Sequence, residues 1–325
     1  MATLYINRSD IQLTLESQTL RIEQNGTLKN RVPLKLIERL VIQHNITLDT
    51  GLLLKLAENN ATVLILSPRH SRRVALMLGP AHNQAAIRLA QACQVSDAAQ
   101  CQPMAQQLVI SKIKRQQRLL KQALTQRADA RKPLLDGINH LQTILDRLAQ
   151  TTPDHATLRG HEGAAARAYF QAYAALMPPS FGFTGRNRRP PRDPINAGLS
   201  LAYTLLHSDA VRAAHMAGLD PMLGFYHRPS FGRESLASDL IEPLRPHVDA
   251  WLWEQIRSRH LRIEHFHHDG QACLLGKAGR DTFFAAWEQH AKHHRRWLRI
   301  QSAALAKYWR AQGTPLLADP DDEEE

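Results

Sequence analysis

The sequence predicts an α+β multidomain protein, with a β-rich domain over residues 1–78 followed by a larger all-α domain over residues 83–318. Three observations carry that reading. Short alternating or β-branched runs crowd the first 78 residues. Gly79-Pro80 punctuates the end of that pattern. Beyond it, apolar residues recur at three- and four-residue spacing almost to the C-terminus. Residues 79–82 read as a linker, and residues 319–325 as a disordered acidic tail. At 325 residues the chain exceeds one average domain, so two domains are expected and a large core is affordable.

Taken in order, Thr3–Ile6, Ile11–Leu15, Thr19–Gln24 and Leu28–Val32 predict strands. Asn25-Gly26 between the last two is a hairpin signal, because both residues tolerate the positive φ of a two-residue turn. Leu40-Val-Ile predicts a further strand, Thr50–Asn59 a helix, Thr62–Leu66 a buried strand and Arg73–Leu78 another. Helices are expected at Asn83–Cys93, Gln106–Gln126 and around Leu134–Leu148, then from Asn196 to His207 and on through Trp297–Arg310. Residues 177–194, rich in proline and arginine, form a long loop. Trp251, Trp253, Trp287, Trp297 and Trp309 fall at helical intervals and read as core. Tyr169 and Tyr203 read the same way.

Charge narrows the partners. Lys and Arg number 41 against 30 acids, a net +11 with a pI near 9.9, and six of those acids sit in the terminal tail. A body this positive favours a polyanion, nucleic acid first. Lys112, Lys114, Arg115, Arg118 and Lys121 crowd one predicted helix, as a DNA-facing or simply solvated face. Cys93, Cys101 and Cys273 show no CxxC and read as reduced thiols of a cytoplasmic protein. No signal peptide is expected at the N-terminus, and no apolar run nears the ~20 residues that span a bilayer.

The chemistry concentrates around His227, twelve residues before an acidic pair spaced Asp239-x-x-Glu242. On a helix, residues three apart share a face, so both carboxylates can point into one site. Neighbouring carboxylates repel unless a cation compensates them. Oxygen donors suit Mg²⁺ or Mn²⁺, and an imidazole tilts the choice toward Mn²⁺. In a basic protein the substrate for such an ion is a phosphodiester. A third carboxylate is needed, and Glu162, in an alanine-rich helix start, is the candidate. Spacing alone leaves it equally open to complementing a helix dipole.

Arg186, Arg188, Arg189 and Arg192 in the proline-rich loop are expected to meet the DNA backbone. Asn196 reads as an N-cap or a site contact, and Arg245 as a steadying partner of Glu242 that also meets DNA. The clusters His265-Phe-His267-His268 and His290…His293-His294 lack acids or cysteines at ligand spacing and read as additions to a DNA-facing surface. Pro243 should interrupt the helix that carries the acidic pair.

Four segments in order resemble a known family. They are Glu162-Gly-x-Ala-Ala-Arg-x-Tyr-Phe, Arg-Arg-Pro-Pro-x-Asp-Pro-x-Asn196, Gly218-Leu-Asp-Pro-x-x-Gly-Phe-Tyr-His227 and Ser235-Leu-x-x-Asp239-Leu-x-Glu242-x-x-Arg245-Pro. Together they look like the CRISPR-associated endonuclease/integrase of spacer adaptation, the Cas-one family. The resemblance implies a β-domain used for dimerisation and a helical catalytic domain. It implies a divalent ion, Mg²⁺ or Mn²⁺, on Glu162, His227 and Glu242, with Asp239 in a supporting or second-metal role. It also implies insertion of short DNA fragments into a CRISPR array by attack of DNA 3′-hydroxyls on double-stranded DNA. The protein would act as a homodimer with a small partner of the Cas-two family. The rival readings are a free-standing structure-selective nuclease for branched DNA and a non-catalytic nucleic-acid scaffold.

Overall fold

A computed structural model describes residues 2–67, 73–80, 82–187 and 190–317. Arg188, Arg189 and the acidic tail lie outside the described residues.

The front of the chain is built as its alternation dictates. Strands β1 (Ala2–Ile6), β2 (Ile11–Glu16), β3 (Thr19–Gln24), β4 (Thr27–Pro33), β5 (Ile37–Ile42), β6 (Thr47–Leu48), β7 (Thr62–Leu66) and β8 (Arg73–Met77) form two four-stranded sheets. One runs β1-β5-β7-β8, with β1, β5 and β7 parallel and β8 antiparallel; the other runs β4-β3-β2-β6. Asn25 and Gly26 take φ 50° and 74°, so the expected turn closes the β3–β4 hairpin with Gln24 opposite Thr27. A second two-residue turn, at Ser17-Gln18, registers Glu16 opposite Thr19. That register turns Leu13, Leu20 and Ile22 inward together, against Leu52 and Leu56 of helix α1 (Thr50–Glu58). Asp49 caps α1 by accepting from Gly51 N at 2.8 Å.

The remainder is helical: α2 (Ala85–Ser96), α3 (Ala98–Leu124), α4 (Arg131–Gln150), α5 (His155–Ala174), α6 (Pro194–Met216), α7 (Ser235–Ile241), α8 (Arg245–Arg257) and α9 (Lys277–Gly313). α3, α4 and α5 pack on one another, and α6 is buried along most of its length. Within the helical run lies a β hairpin of β9 (Phe266–Asp269) and β10 (Ala272–Leu275), turned at Gly270, φ +59°. His267 and His268 therefore lie on an exposed strand rather than a helix face.

Most helical apolar residues share one core, and Val41, Leu64 and Leu66 of the first sheet belong to it. The same junction is pinned by charge: Asp209 of α6 accepts from Arg39 Nε of β5 at 2.7 Å and from Arg295 Nε of α9 at 2.9 Å. Trp251, Trp253, Trp287 and Trp309 are buried, as are Tyr169 and Tyr203. Among the described residues no helix is long and apolar enough to cross a membrane.

Candidate active site

The loop between α6 and α7 is set from beneath by a glutamine. Gln91 of α2, fully buried, donates to the carbonyls of Asp220 and Leu223 at 2.9 Å each and accepts from Asp220 N at 2.8 Å. The chain then passes Gly224, where a β carbon would lie 2.6 Å from the Ser235 carbonyl carbon and 2.8 Å from Asp239 Oδ2. Only glycine lets the backbone come so close. That approach turns three successive N–H groups onto one carboxylate. Phe225 N and Tyr226 N donate to Asp239 Oδ2 at 2.8 and 3.0 Å, and His227 N donates to Oδ1 at 2.8 Å. Asp239 has no solvent exposure; burial raises its pKa, while His227 and these amides favour the charged form.

The imidazole of His227 sits between two acids. Its Nδ1 is 2.7 Å from Asp239 Oδ1, and its Nε2 is 4.0 Å from Glu242 Oε1. With Nδ1 engaged, Nε2 is the nitrogen turned to the site. α7 ends at Ile241, and Glu242-Pro243-Leu244 forms a single 3₁₀ turn before α8, which is the interruption Pro243 predicts. Arg245 Nε holds Glu242 Oε1 at 2.8 Å, and Lys112 Nζ of α3 approaches Oε2 at 2.6 Å. The same ammonium pairs with Glu162 of α5, so one buried cation bridges both carboxylates. Burial opposes the charge on Glu242, but Arg245 and then Lys112 outweigh it and hold the carboxyl far below its usual range. Burial likewise opposes the charge on Lys112, and Glu242 and Glu162 more than restore it.

Glu162, His227, Glu242, Lys112 and Arg245 line a cavity of about 810 Å³. Arg159, Arg228 and Arg233, all exposed, line its outer part and make it attractive to anions. His207 and Glu234 form another wall, where Arg73 of β8 pairs with Glu234. Burial lowers the His207 pKa to about 4, against the opposing pull of Glu234. Behind the site, Asp249 accepts from Tyr169 Oη at 2.7 Å and from Tyr203 Oη. The Tyr203 ring carries the guanidinium of Arg245 at 4.5 Å and that of Arg186 at 5.3 Å.

The sequence-predicted residues thus separate. Glu162, His227 and Glu242 meet in one cavity, and Asp239 lies behind His227 as a support. Glu162 is two turns into α5, since Asp154 caps that helix, so complementing the helix start is not its role. Arg245 steadies Glu242 and also faces the cavity. Asn196 is corrected. It is fully buried, accepts from Arg186 Nη1 at 2.6 Å and Asn187 N at 3.0 Å, and donates to Gly185 O at 2.9 Å. Its groups hold the loop together and cannot meet DNA there. Nor is it the cap: Asp193 caps α6, with Pro194 first in the helix. Arg186 turns inward onto Asn196, Ser200 and Tyr203, while Arg192 is exposed.

Lys112 is the residue whose place the basic cluster conceals. It is 8% exposed, on the inward stripe of α3 with Ala105, Val109 and Gln116. A lysine in the buried phase of an amphipathic helix was the available signal. Among the described residues, no three of His, Cys, Asp and Glu are gathered closely enough to hold a metal ion as they stand.

A β-sheet front joined to a helical body, with a carboxylate–imidazole cavity among the helices, defines the class by fold and site. A family model described as "CRISPR associated protein Cas1" matches residues 4–289. The CRISPR-associated endonuclease Cas1 1 of Thermodesulfovibrio yellowstonii is 35% identical over 303 residues, 91% of this chain and 93% of that protein. The Cas1 2 endonuclease of Rhodospirillum rubrum is 35% identical over 323 residues, 95% of this chain and 93% of its own. Among solved structures, a CAS1 protein from Thermotoga maritima matches with a TM-score of 0.82 at 21% identity, over 95% of this chain and 97% of that one. A casposase bound to integration product matches at 0.81 and 21% identity, over 96% and 91%. The chain belongs to the Cas1 family.

Proposed function

We propose that the protein is a divalent-metal-dependent DNA endonuclease/integrase. It inserts short foreign DNA fragments into a CRISPR array by attack of DNA 3′-hydroxyls on phosphodiester bonds. The observation that carries this is the meeting of Glu162, Glu242 and the Nε2 side of His227 in a cavity whose outer wall carries arginines. The curated relatives at 35% identity bear the name CRISPR-associated endonuclease, which supports the same reading.

The donor set fits Mg²⁺ or Mn²⁺: two carboxylates and one imidazole nitrogen, with a cation, Lys112, already balancing the carboxylates. Glu162, His227 and Glu242 would hold the ion, which when bound offsets charge at the phosphate and acidifies the attacking hydroxyl. The chain's own groups do the rest. Asp239 fixes the His227 tautomer and ring plane, and Arg245 fixes Glu242. Arg159, Arg228 and Arg233 draw in the phosphodiester and orient it. Tyr226, packed edge-on to His227 at 5.0 Å, stays protonated, since burial and then Glu162 and Glu242 raise its pKa.

We extend the reading to the assembly: a homodimer through the β-rich domain, acting in the cytoplasm with a small Cas-two partner on double-stranded DNA. Solved fold neighbours include a Cas6-RT-Cas1–Cas2 complex and a TtCas1–DNA complex, which makes these the natural partners to test. The experiment combines purified protein, the small partner, a short duplex with free 3′-hydroxyls and a supercoiled repeat plasmid, with Mg²⁺ or Mn²⁺. Strand-transfer product is expected, and Glu162→Ala or His227→Ala should abolish it while leaving the oligomeric state unchanged. Persistent hydrolysis, with no strand transfer, would instead establish the alternative, a free-standing nuclease acting on branched DNA.

A further inference from the structure

Asp249 of α8 is 1% exposed and stands outside the cavity wall. Two neighbouring helices direct hydroxyls at it. Tyr169 of α5 donates to Oδ2 at 2.7 Å and Tyr203 of α6 donates to Oδ1, while Tyr173 of α5 donates to the Asp249 backbone carbonyl at 2.8 Å. Burial raises the Asp249 pKa to about 6; the hydroxyls of Tyr203 and Tyr169, then Arg186 and Arg245, pull the other way. The group is therefore ionised at neutral pH. Burial keeps all three tyrosines protonated, as donors. Joining helices does not call for such a charge, since apolar side chains of similar volume pack the same space at no greater cost.

The charge reaches the site through one ring. Tyr203 carries the guanidinium of Arg245 at 4.5 Å and that of Arg186 at 5.3 Å. Two cations beside one ring repel each other, and the negative face of the ring offsets only part of that. A carboxylate on the ring's hydroxyl polarises the phenol and adds negative charge to the same stack. Arg245 in turn holds Glu242 Oε1 at 2.8 Å. Burial opposes the charge on Arg245; Glu242 and then Tyr203 more than restore it, and Asp249 adds to them. The line from Asp249 to Glu242 thus runs through one hydroxyl, one ring face and one guanidinium. We infer that Asp249 is a positioning residue for the candidate metal site: acting through Tyr203, it offsets the charge of Arg245 and so lets Glu242 accept a divalent ion beside that guanidinium. This rests on the metal-dependent reading above and adds to it a residue outside the cavity that sets metal affinity.

The test measures Mn²⁺ binding by calorimetry, and binding of a short DNA duplex in metal-free buffer, with the full-length protein. Asp249→Asn removes the charge. It should weaken Mn²⁺ binding by about tenfold or more, while metal-free DNA binding holds or rises, because the cavity becomes more positive. A site that had merely come apart would lose both. Tyr203→Phe keeps the ring and removes only the hydroxyl, so it should weaken Mn²⁺ binding in the same direction and by less. In a protein already carrying Arg245→Gln, adding Asp249→Asn should change Mn²⁺ affinity by less than about twofold. Parental Mn²⁺ affinity in either Asp249→Asn or Tyr203→Phe, whatever the melting temperature, would overturn the inference and leave Asp249 a purely structural residue. So would a parallel loss of metal and DNA binding, or an equal effect of Asp249→Asn with and without Arg245. Parent protein that binds no Mn²⁺ would overturn the metal-dependent reading and this inference together.

Discussion

Asp239 Oδ1 lies 2.7 Å from His227 Nδ1 and also accepts His227's own backbone N–H, so a single buried carboxylate sets both the ring and the backbone of that residue. All the donors around Asp239 are N–H groups, two on each oxygen. Asparagine cannot replace it, because whichever way its amide turns, an NH₂ faces at least one backbone N–H. Asp239→Asn should therefore loosen the loop and misdirect Nε2. We expect a 10- to 100-fold loss, roughly, of metal affinity or strand-transfer rate, with about 1–3 kcal/mol lost in urea denaturation. Parental stability and activity in Asp239→Asn would rule out the supporting role.

Lys112 holds the position between Glu162 and Glu242 that a metal ion would neutralise. An ammonium there compensates the two carboxylates without metal and must yield when a divalent ion binds. Lys112→Met keeps the side-chain length and removes the charge. The variant should melt lower than the parent in EDTA, bind Mn²⁺ more tightly by calorimetry, and regain more thermal stability than the parent on adding Mn²⁺. Unchanged affinity together with an unchanged Mn²⁺-dependent shift would show that Lys112 does not compete for the site.

Much of this was legible in the sequence, and the failures have causes. Alternating or β-branched runs located the front strands apart from the two-residue β6, Asn25-Gly26 fixed a hairpin, and Pro243 located the break after α7, because each depends only on local backbone preference. The spacing of His227, Asp239 and Glu242 brought the three together, but only His227 and Glu242 line the cavity, because Asp239 is turned inward onto the backbone amides of Phe225 and His227. Lys112 was hidden because four other cations share its helix, and charge density says nothing about which of them faces inward. Asn196 misled because a buried amide serving a loop has the same local sequence as one serving a ligand. The β9–β10 hairpin is two four-residue strands, too brief for periodicity to separate from the helices around it.

The junction between sheet and helices depends on Asp209. It is buried, and Arg39 and Arg295 outweigh the cost of burial and hold its pKa low. Arg295 also pairs with Glu288, which accepts from Thr3 Oγ1 and Tyr5 Oη of β1 at 3.0 Å each. Asp209→Asn puts a neutral amide between two guanidinium groups that then keep one carboxylate each, Glu38 for Arg39 and Glu288 for Arg295. Removing one partner of a buried pair costs about 3–5 kcal/mol, so with those carboxylates in place a loss toward the lower end is expected in denaturant unfolding. Proteolysis should then cut sooner near the end of the β-rich region. A change under 1 kcal/mol, roughly, would mean that apolar packing of Val41, Leu64 and Leu66 suffices to hold the junction.

Acid sensitivity should come from a histidine pair on α9. Burial, then His247 and His293, depress the pKa of His290 to about 4. Burial, then His290 and His247, depress that of His294 to about 3, and only Asp209 pulls the other way. Arg115 and Arg118 lie close to His247 and keep the surroundings positive. Both folded-state values fall below the unfolded value near 6.5, so the folded protein prefers the neutral rings. That preference contributes full stability above about pH 6.5. It is lost as the pH falls, because the unfolded chain takes up protons that the folded chain refuses. For His294 alone the loss between pH 6.5 and 4.5 is roughly 2–3 kcal/mol. His294→Leu removes the titrating ring from its contact with Trp287, so its stability should vary less with pH over that window, whatever its level at pH 7. Denaturant unfolding at pH 7, 5.5 and 4.5 measures this, and parallel curves for parent and variant would refute it.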